Sequence, residues 1–275
     1  MDTPKELKLA VLIDADNVPY ANIKGMLEEI AKYGTPTFKR IYGDWTNVNL
    51  SGWKNVLLEN AITPIQQYSY TKGKNSTDSA LIIDAMDILY TGGVEGFCIV
   101  SSDSDFTRLA TRLREAGMKV FGIGEKKTPS PFIASCNKFI YIEILKKEVR
   151  ETLPAKQNQR KPAKKGKNIA PVVEKTLPSP IIEVTPEVEI IATLANIDRG
   201  LIKLILDSIN DIAEEDGWVP LAVLGNLIPK KQPDFDARNF GYKKLLDLIK
   251  AIPEIEIDKR QTATNNISHF FVRIK

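Results

Sequence analysis

An α/β architecture, a mostly parallel sheet with helices on both faces followed by a small C-terminal winged-helix module, is what the 275-residue sequence predicts. Three observations lead there. From Leu7 to Ile144 short apolar runs alternate with stretches whose apolar residues recur at helical spacing, the pattern of successive βα units. After Arg150 regular patterning stops, and Pro154, Pro162, Pro171, Pro178, Pro180 and Pro186 interrupt a segment of small polar and charged residues. Near Asp198 a helical apolar face returns, and three helical segments then precede two short strand-like runs.

In chain order the expected strands are LKLAVLI, PTFKRIY, ITPIQQY, FCIVS, KVFGI and FIYIEI. The helical stretches between them are YANIKGMLEEIAKY, SGWKNVLLEN, TDSALIIDAMDILY and FTRLATRLREAG, with Gly117 placed to end the last of these. RGLIKLILDSINDIAEE opens the C-terminal module, and IPEIEI and HFFVRI close it. The expected division is a domain over residues 1–150, a Pro-rich basic linker over 151–197, and a second domain over 198–275. No internal repeat is visible.

Composition narrows the chemistry. A hydrophobic content of 43% is ample for two cores. The start MDTPKELK is polar, and no apolar run approaches the roughly 18 residues that a membrane span requires, so the expected location is cytoplasmic, with no membrane partner. Cys98 and Cys136 sit in apolar segments without metal-ligand spacing, as reduced core residues do. The single histidine, His269, falls on a strand near the C-terminus, which argues against Ser-His-Asp, Cys-His and His-metal chemistry. Carboxylates are left as the catalytic candidates.

Charge is unevenly placed. Residues 1–150 hold 19 Lys/Arg against 18 Asp/Glu, and residues 198–275 hold 12 against 12. The run KQNQRKPAKKGK, with Lys161, Lys164 and Lys165, has six basic residues and no acidic one. Such a run is either a solvated linker or a tether that neutralises phosphates.

Acidic residues gather where a parallel sheet binds ligands, beyond the carboxyl ends of its strands. Asp14 and Asp16 follow the first strand, Asp103 and Asp105 follow FCIVSS, and Asp78 opens the helix after ITPIQQYSYTKGKNS. If the first and fourth strands are neighbours, these groups share one crevice. Carboxylates so crowded raise one another's pKa unless a cation compensates, and Mg²⁺ or Mn²⁺ suits an all-oxygen donor set. Local roles compete at each position. Asp16 or Asn17 is placed to cap the helix entered at Pro19, Ser104 or Asp105 to cap FTRLATRL, and Asp78 lies in a helix's favourable first turn. Asp84 and Asp87 share a helical face, the usual mark of a solvated stripe, yet Asp84 also interrupts the apolar run ALIIDAM.

IDADN after a strand, RIYGDW, KNSTDSALIIDAMD, SSDSDF and GIGEKKTPSPFIASCNKFIYI together resemble an NYN domain, the LabA-like branch of the PIN-like metal-dependent ribonucleases. The resemblance covers roughly residues 7–146. It implies a PIN-like, Rossmann-like sheet and an acidic pocket that binds Mg²⁺ or Mn²⁺ for RNA phosphodiester hydrolysis. Asp14, Asp78, Asp103 and Asp105 are the implied metal ligands, and Asn17 orients a ligand or a phosphate. Ser101 and Asp84 are candidates for supporting those groups from behind, while Asp16 falls where the family varies and is left out of the metal set.

GWVPLAVLGNLIPKKQPDFDARNFGYKKLLDLI and the closing FVRI resemble an OST-HTH, or LOTUS, domain over residues 198–275. That family implies a winged helix that binds RNA, single-stranded or structured and G-rich, although some members bind protein partners instead. Lys230, Lys231, Arg238, Tyr242, Lys243 and Lys244 are the RNA-binding candidates, joined by Lys161, Lys164 and Lys165 of the linker; a homodimer stays open. Balanced charge in this module demands that its basic residues collect on one face. Tyr242 suits stacking on a base and a packing role equally, and Trp218 suits packing.

Two other functions compete with a metal-dependent endoribonuclease. LAVLIDADNV also fits the strand and D-x-D-x-V opening of haloacid dehalogenase-like phosphatases, with Asp14 as nucleophile and Asp16 as general acid, although the lysine motif and cap insertion of that class are not evident. The third is an RNA-binding or scaffold protein whose nuclease fold is weak or inactive.

Overall fold

A computed structural model describes residues 6–68, 76–145, 197–261 and 268–275. Lys161, Lys164 and Lys165 lie outside the described residues. The N-terminal domain is a six-stranded sheet in the order β3-β2-β1-β4-β5-β6. Its strands are β1 (Lys8–Asp14), β2 (Thr35–Gly43), β3 (Thr63–Gln66), β4 (Gly96–Val100), β5 (Lys119–Gly124) and β6 (Lys138–Tyr141). Every pairing is parallel.

Central β1 explains the architecture. Leu9 to Ile13 are all completely buried, as expected of a strand covered on both faces. Leu9, Val11 and Ile13 pack with Ile23, Met26 and Ile30 of α1 (Ile23–Ile30) and Trp53 and Leu57 of α2 (Trp53–Asn60). Ala10 and Leu12 face the opposite layer, with Leu81, Ala85 and Ile88 of α3 (Ser76–Thr91), Leu109 and Leu113 of α4 (Thr107–Glu115), and Phe132 of α5 (Ser130–Ser135). The alternation is the two-residue period of a strand serving two cores. Gly117 ends α4 as expected, at φ +82°, with its N–H on the Arg114 carbonyl (2.9 Å) and the Met118 N–H on the Leu113 carbonyl (3.1 Å).

Two elements depart from the sequence reading. FIYIEI leaves the sheet after Tyr141, and residues 142–145 turn helical, carrying Ile142, Ile144 and Leu145 into the core beneath β1. PSPFIASC contains the unanticipated helix α5, whose Pro131 stands in the first turn, where a missing N–H costs nothing.

The C-terminal domain holds α6 (Arg199–Ile212), β7 (Val219–Pro220), α7 (Leu221–Lys231), α8 (Leu245–Lys250), β8 (Ile255–Gln261) and β9 (Ser268–Ile274). Asp198 caps α6 by accepting the Leu201 N–H at 2.6 Å. Three antiparallel strands in the order β7-β9-β8 close over a core of Leu201, Ile205, Ile209, Leu224, Ile228, Leu248 and Val272.

The second domain docks against the β6 edge of the first. The Phe139 N–H donates to the Pro233 carbonyl (2.8 Å), and the Tyr141 hydroxyl donates to Asp234 (2.7 Å). Arg238 meets Glu29 of α1. Covering an outer strand in this way removes a sticky edge. Cys98 and Cys136 are free and buried, and burial pushes the Cys136 thiol up to about 12. Among the described residues no helix is long and apolar enough to cross a membrane.

Candidate metal centre

Strand order reverses between β1 and β4, and the crevice beyond their carboxyl ends is where such a sheet takes ligands. Asp14 ends β1, and the 101–105 loop leaves β4 directly beside it, since Ile13 pairs with Val100. The side chain of Asp14 is only 1% exposed. Its Oδ2 accepts from the Asn17 amide (2.6 Å) and the Ser101 hydroxyl (2.8 Å), and its Oδ1 from the Asp16 N–H (3.1 Å). Burial raises its pKa, while these hydrogen bonds pull the other way. Ser101 also accepts the Asp103 N–H (3.1 Å), so one hydroxyl ties the end of β1 to the loop after β4.

Asp103 caps a short 3-10 turn, Ser104–Phe106, by accepting the Asp105 N–H (2.9 Å). The cap is therefore Asp103, and neither Ser104 nor Asp105 supplies it. At the other expected cap, the turn Tyr20–Asn22 and α1 begin with no side-chain cap, so Asp16 and Asn17 are used differently. Asn17 holds Asp14, and Asp16 accepts weakly from the Thr77 hydroxyl (3.5 Å). Thr77, just before Asp78, is a contributor that nothing in the sequence marks.

Asp78 lies in the first turn of α3 and completes the cluster. One carboxylate oxygen from each of Asp78, Asp103 and Asp105 lies within 4.8 Å of the other two. Asp78 is pushed up to about 6, first by burial and then by the charges of Asp14, Asp103, Asp105 and Asp16. Carboxyl groups from three separated stretches of chain thus feel one another strongly. The group that meets within 4.8 Å does not include Asp14, although Asp14 is the first of the charges acting on Asp78; it keeps one lone-pair position on Oδ1 after its three hydrogen bonds. A side chain so enclosed is not presented as the nucleophile of the phosphatase alternative.

The donor chemistry fits a hard divalent cation: all ligand atoms are carboxylate oxygens, and mutual repulsion is what a cation would relieve. It does not discriminate Mg²⁺ from Mn²⁺.

Asp84 is elsewhere. It points at the sheet, where it accepts from the Arg40 guanidinium and the Tyr42 hydroxyl. Tyr42 is completely buried, and its hydroxyl is pushed above its ordinary pKa by burial and by Asp84.

The C-terminal candidates divide. Arg238 donates to Glu29 (3.0 and 2.7 Å) and pairs with Asp236 (2.8 Å), so its guanidinium is engaged at the domain junction. Tyr242 is partly buried and packs against the C-terminal core. Lys231 pairs with Asp211. Lys230, Lys243 and Lys244 are exposed. The Trp218 ring is flanked by Arg260 (5.1 Å) and Arg273 (4.6 Å), a basic-aromatic stack assembled from three separate positions.

The family model of the NYN domain matches residues 8–143, and that of the OST-HTH/LOTUS domain matches residues 192–267. Among solved structures, a protein of unknown function from Vibrio parahaemolyticus is similar at 20% identity over 52% of this chain and 96% of its own, with a TM-score of 0.43. An uncharacterized protein from Nitrosomonas europaea is similar at 28% identity over 38% of this chain and 92% of its own, with a TM-score of 0.27. No curated protein matches the chain.

Proposed function

Because the chain belongs to the NYN family, within the PIN-like nuclease superfamily, and carries an OST-HTH/LOTUS RNA-binding domain, we propose that it is a metal-dependent endoribonuclease. The observation that carries this reading is the approach of Asp78, Asp103 and Asp105 to within 4.8 Å at the switch point of the sheet. These three would hold Mg²⁺ or Mn²⁺. When bound, such a cation lowers the pKa of water and steadies charge on a phosphoryl oxygen.

The remaining work falls to the protein. Ser101 and Asn17 fix the Asp14 carboxylate, and Asp14 adds negative potential behind Asp78. That potential strengthens attraction for a divalent ion and would repel RNA from an empty pocket. Substrate therefore has to be gripped by basic surface outside the pocket.

Purified full-length protein with Mn²⁺ or Mg²⁺ is expected to cut single-stranded RNA, with cutting abolished in Asp14→Asn/Asp103→Asn while the fold survives. Cutting that persists in the double variant overturns the assignment. RNA binding with neither hydrolysis nor calorimetric binding of a divalent ion would leave an RNA-binding protein on a nuclease fold.

A further inference from the structure

Between the two domains lies a cleft of about 660 Å³, lined by Arg114, Lys119 and Lys138 of the first and Lys230 and Lys231 of the second. No carboxylate is among the described residues that line it. Lys231 shares its charge with Asp211 outside the cleft, and Arg114 donates to the carbonyls of Ala134 and Ser135. Lys119 and Lys230 are exposed. Asn137, also in the lining, accepts the Val120 N–H (2.8 Å) through its carbonyl oxygen, which leaves its amide N–H groups free to face an acceptor.

We propose that this cleft is a composite RNA-binding site in which both domains neutralise the phosphates of one strand. The inference rests on the RNA-directed part of the function proposed above, and adds a location that neither family match assigns. Lys119 opens β5 and Lys138 opens β6, so the cleft lies at the amino ends of a parallel sheet whose carboxyl ends carry the acidic cluster. The two sites occupy opposite ends of the domain. Phosphates are thus held where the field is positive, and a strand long enough to round the domain presents a distant linkage to the carboxylates.

Three features favour a polyanion over a neutral ligand. The cations come from both domains, with no carboxylate among the described lining residues. Burial lowers the Lys138 ammonium from its ordinary pKa, and an arriving anion would offset that desolvation. The two walls are held in register by Arg238 and Glu29 and by the Phe139–Pro233 hydrogen bond. RNA is taken over an acidic protein on the RNA-directed reading proposed above, and the polyglutamate competition below tests that choice.

The test is fluorescence anisotropy of labelled single-stranded RNA on the full chain in EDTA, over a range of salt. Lys119→Ala/Lys230→Ala is expected to weaken binding about tenfold at low salt and to reduce the slope of log K against log[salt] by about 1.4. Lys119→Arg/Lys230→Arg should bind as the native chain does, as should Lys203→Ala/Lys259→Ala, whose lysines do not line the cleft. Unchanged affinity and slope in the alanine pair overturn the proposal, as does polyglutamate displacing RNA at equal charge concentration. Because EDTA removes hydrolysis from the readout, RNA held through Lys119 and Lys230 in EDTA yet left uncut in a separate assay with Mn²⁺ or Mg²⁺ sinks the nuclease assignment alone. Cutting by a chain whose RNA affinity ignores both lysines sinks this site alone.

Discussion

Arg238 of the C-terminal domain grips Glu29 of α1 through both terminal nitrogens, at 3.0 and 2.7 Å, across 209 residues of sequence. Glu29 is 2% exposed. Burial alone would raise its carboxyl, but Arg238 and Lys32 outweigh burial and hold it at about 2, against an ordinary 4.5. Arg238→Ala removes the main compensation and leaves a carboxylate enclosed, which is expected to cost about 2–4 kcal/mol in denaturant unfolding of the full chain. Glu29→Gln/Arg238→Met should recover most of that loss. The pH sign follows from a depressed carboxyl. The stabilisation is complete above about 4.5 and is lost as pH falls towards 2, so scattering at about pH 2 should show the domains parting before either core melts.

Asp78 shows the opposite sign. Its folded carboxyl sits near 6, above the ordinary 3.8, so the folded state prefers it protonated. In EDTA the chain should lose stability as pH rises from about 4 to 6, by about 1 kcal/mol given the partial exposure of the group. Asp78→Asn is expected to melt higher than the native chain at neutral pH in EDTA. Mn²⁺ is expected to raise the melting temperature of the native protein, and the same variant should forfeit that rise. An Asp78→Asn chain that melts no higher in EDTA would mean that the crowded carboxylates are already relieved.

Ser101 is the smallest residue with a large expected effect. Its hydroxyl donates to Asp14 (2.8 Å) and accepts from the Asp103 N–H (3.1 Å), so Ser101→Ala unties β1 from the loop carrying Asp103 and Asp105. A fall of about 10- to 100-fold in divalent-ion affinity is expected by calorimetry, with the fold retained. Asn17→Ala should act in the same direction.

The site was legible because each piece of it is local. A fully buried strand that ends on IDADN, and a second that ends on SSDSDF, announce polar work at strand ends, and parallel topology brings such ends together. The pairing of Arg238 with Glu29 was not legible, for a physical reason. Its flanks, FDARNF, give no sign of the Glu29 that sits 209 residues earlier. Likewise FIYIEI has strand composition throughout, and only packing beneath β1 decides that Ile142 and Ile144 turn inward as a helix. A tertiary partner, in both cases, overrides what neighbours along the chain suggest.

Asp84 stands apart from the acidic cluster that Asp78 joins at the start of α3. Six residues after Asp78, it faces β2, where Arg40 and the buried Tyr42 donate to it. Replacement by alanine leaves a half-buried guanidinium and a buried hydroxyl without their acceptor, a loss of about 2–3 kcal/mol. Asp84→Asn keeps the acceptor for Tyr42 and forfeits the charge on Arg40, so it should cost less. Divalent-ion affinity should stay within about twofold of native in Asp84→Asn, because the carboxylates that meet at the carboxyl ends of β1 and β4 do not include it. An Asp84→Asn chain that unfolds normally yet no longer binds the ion would place Asp84 in the metal centre after all, and with it a rearrangement of Arg40 and Tyr42 on loading.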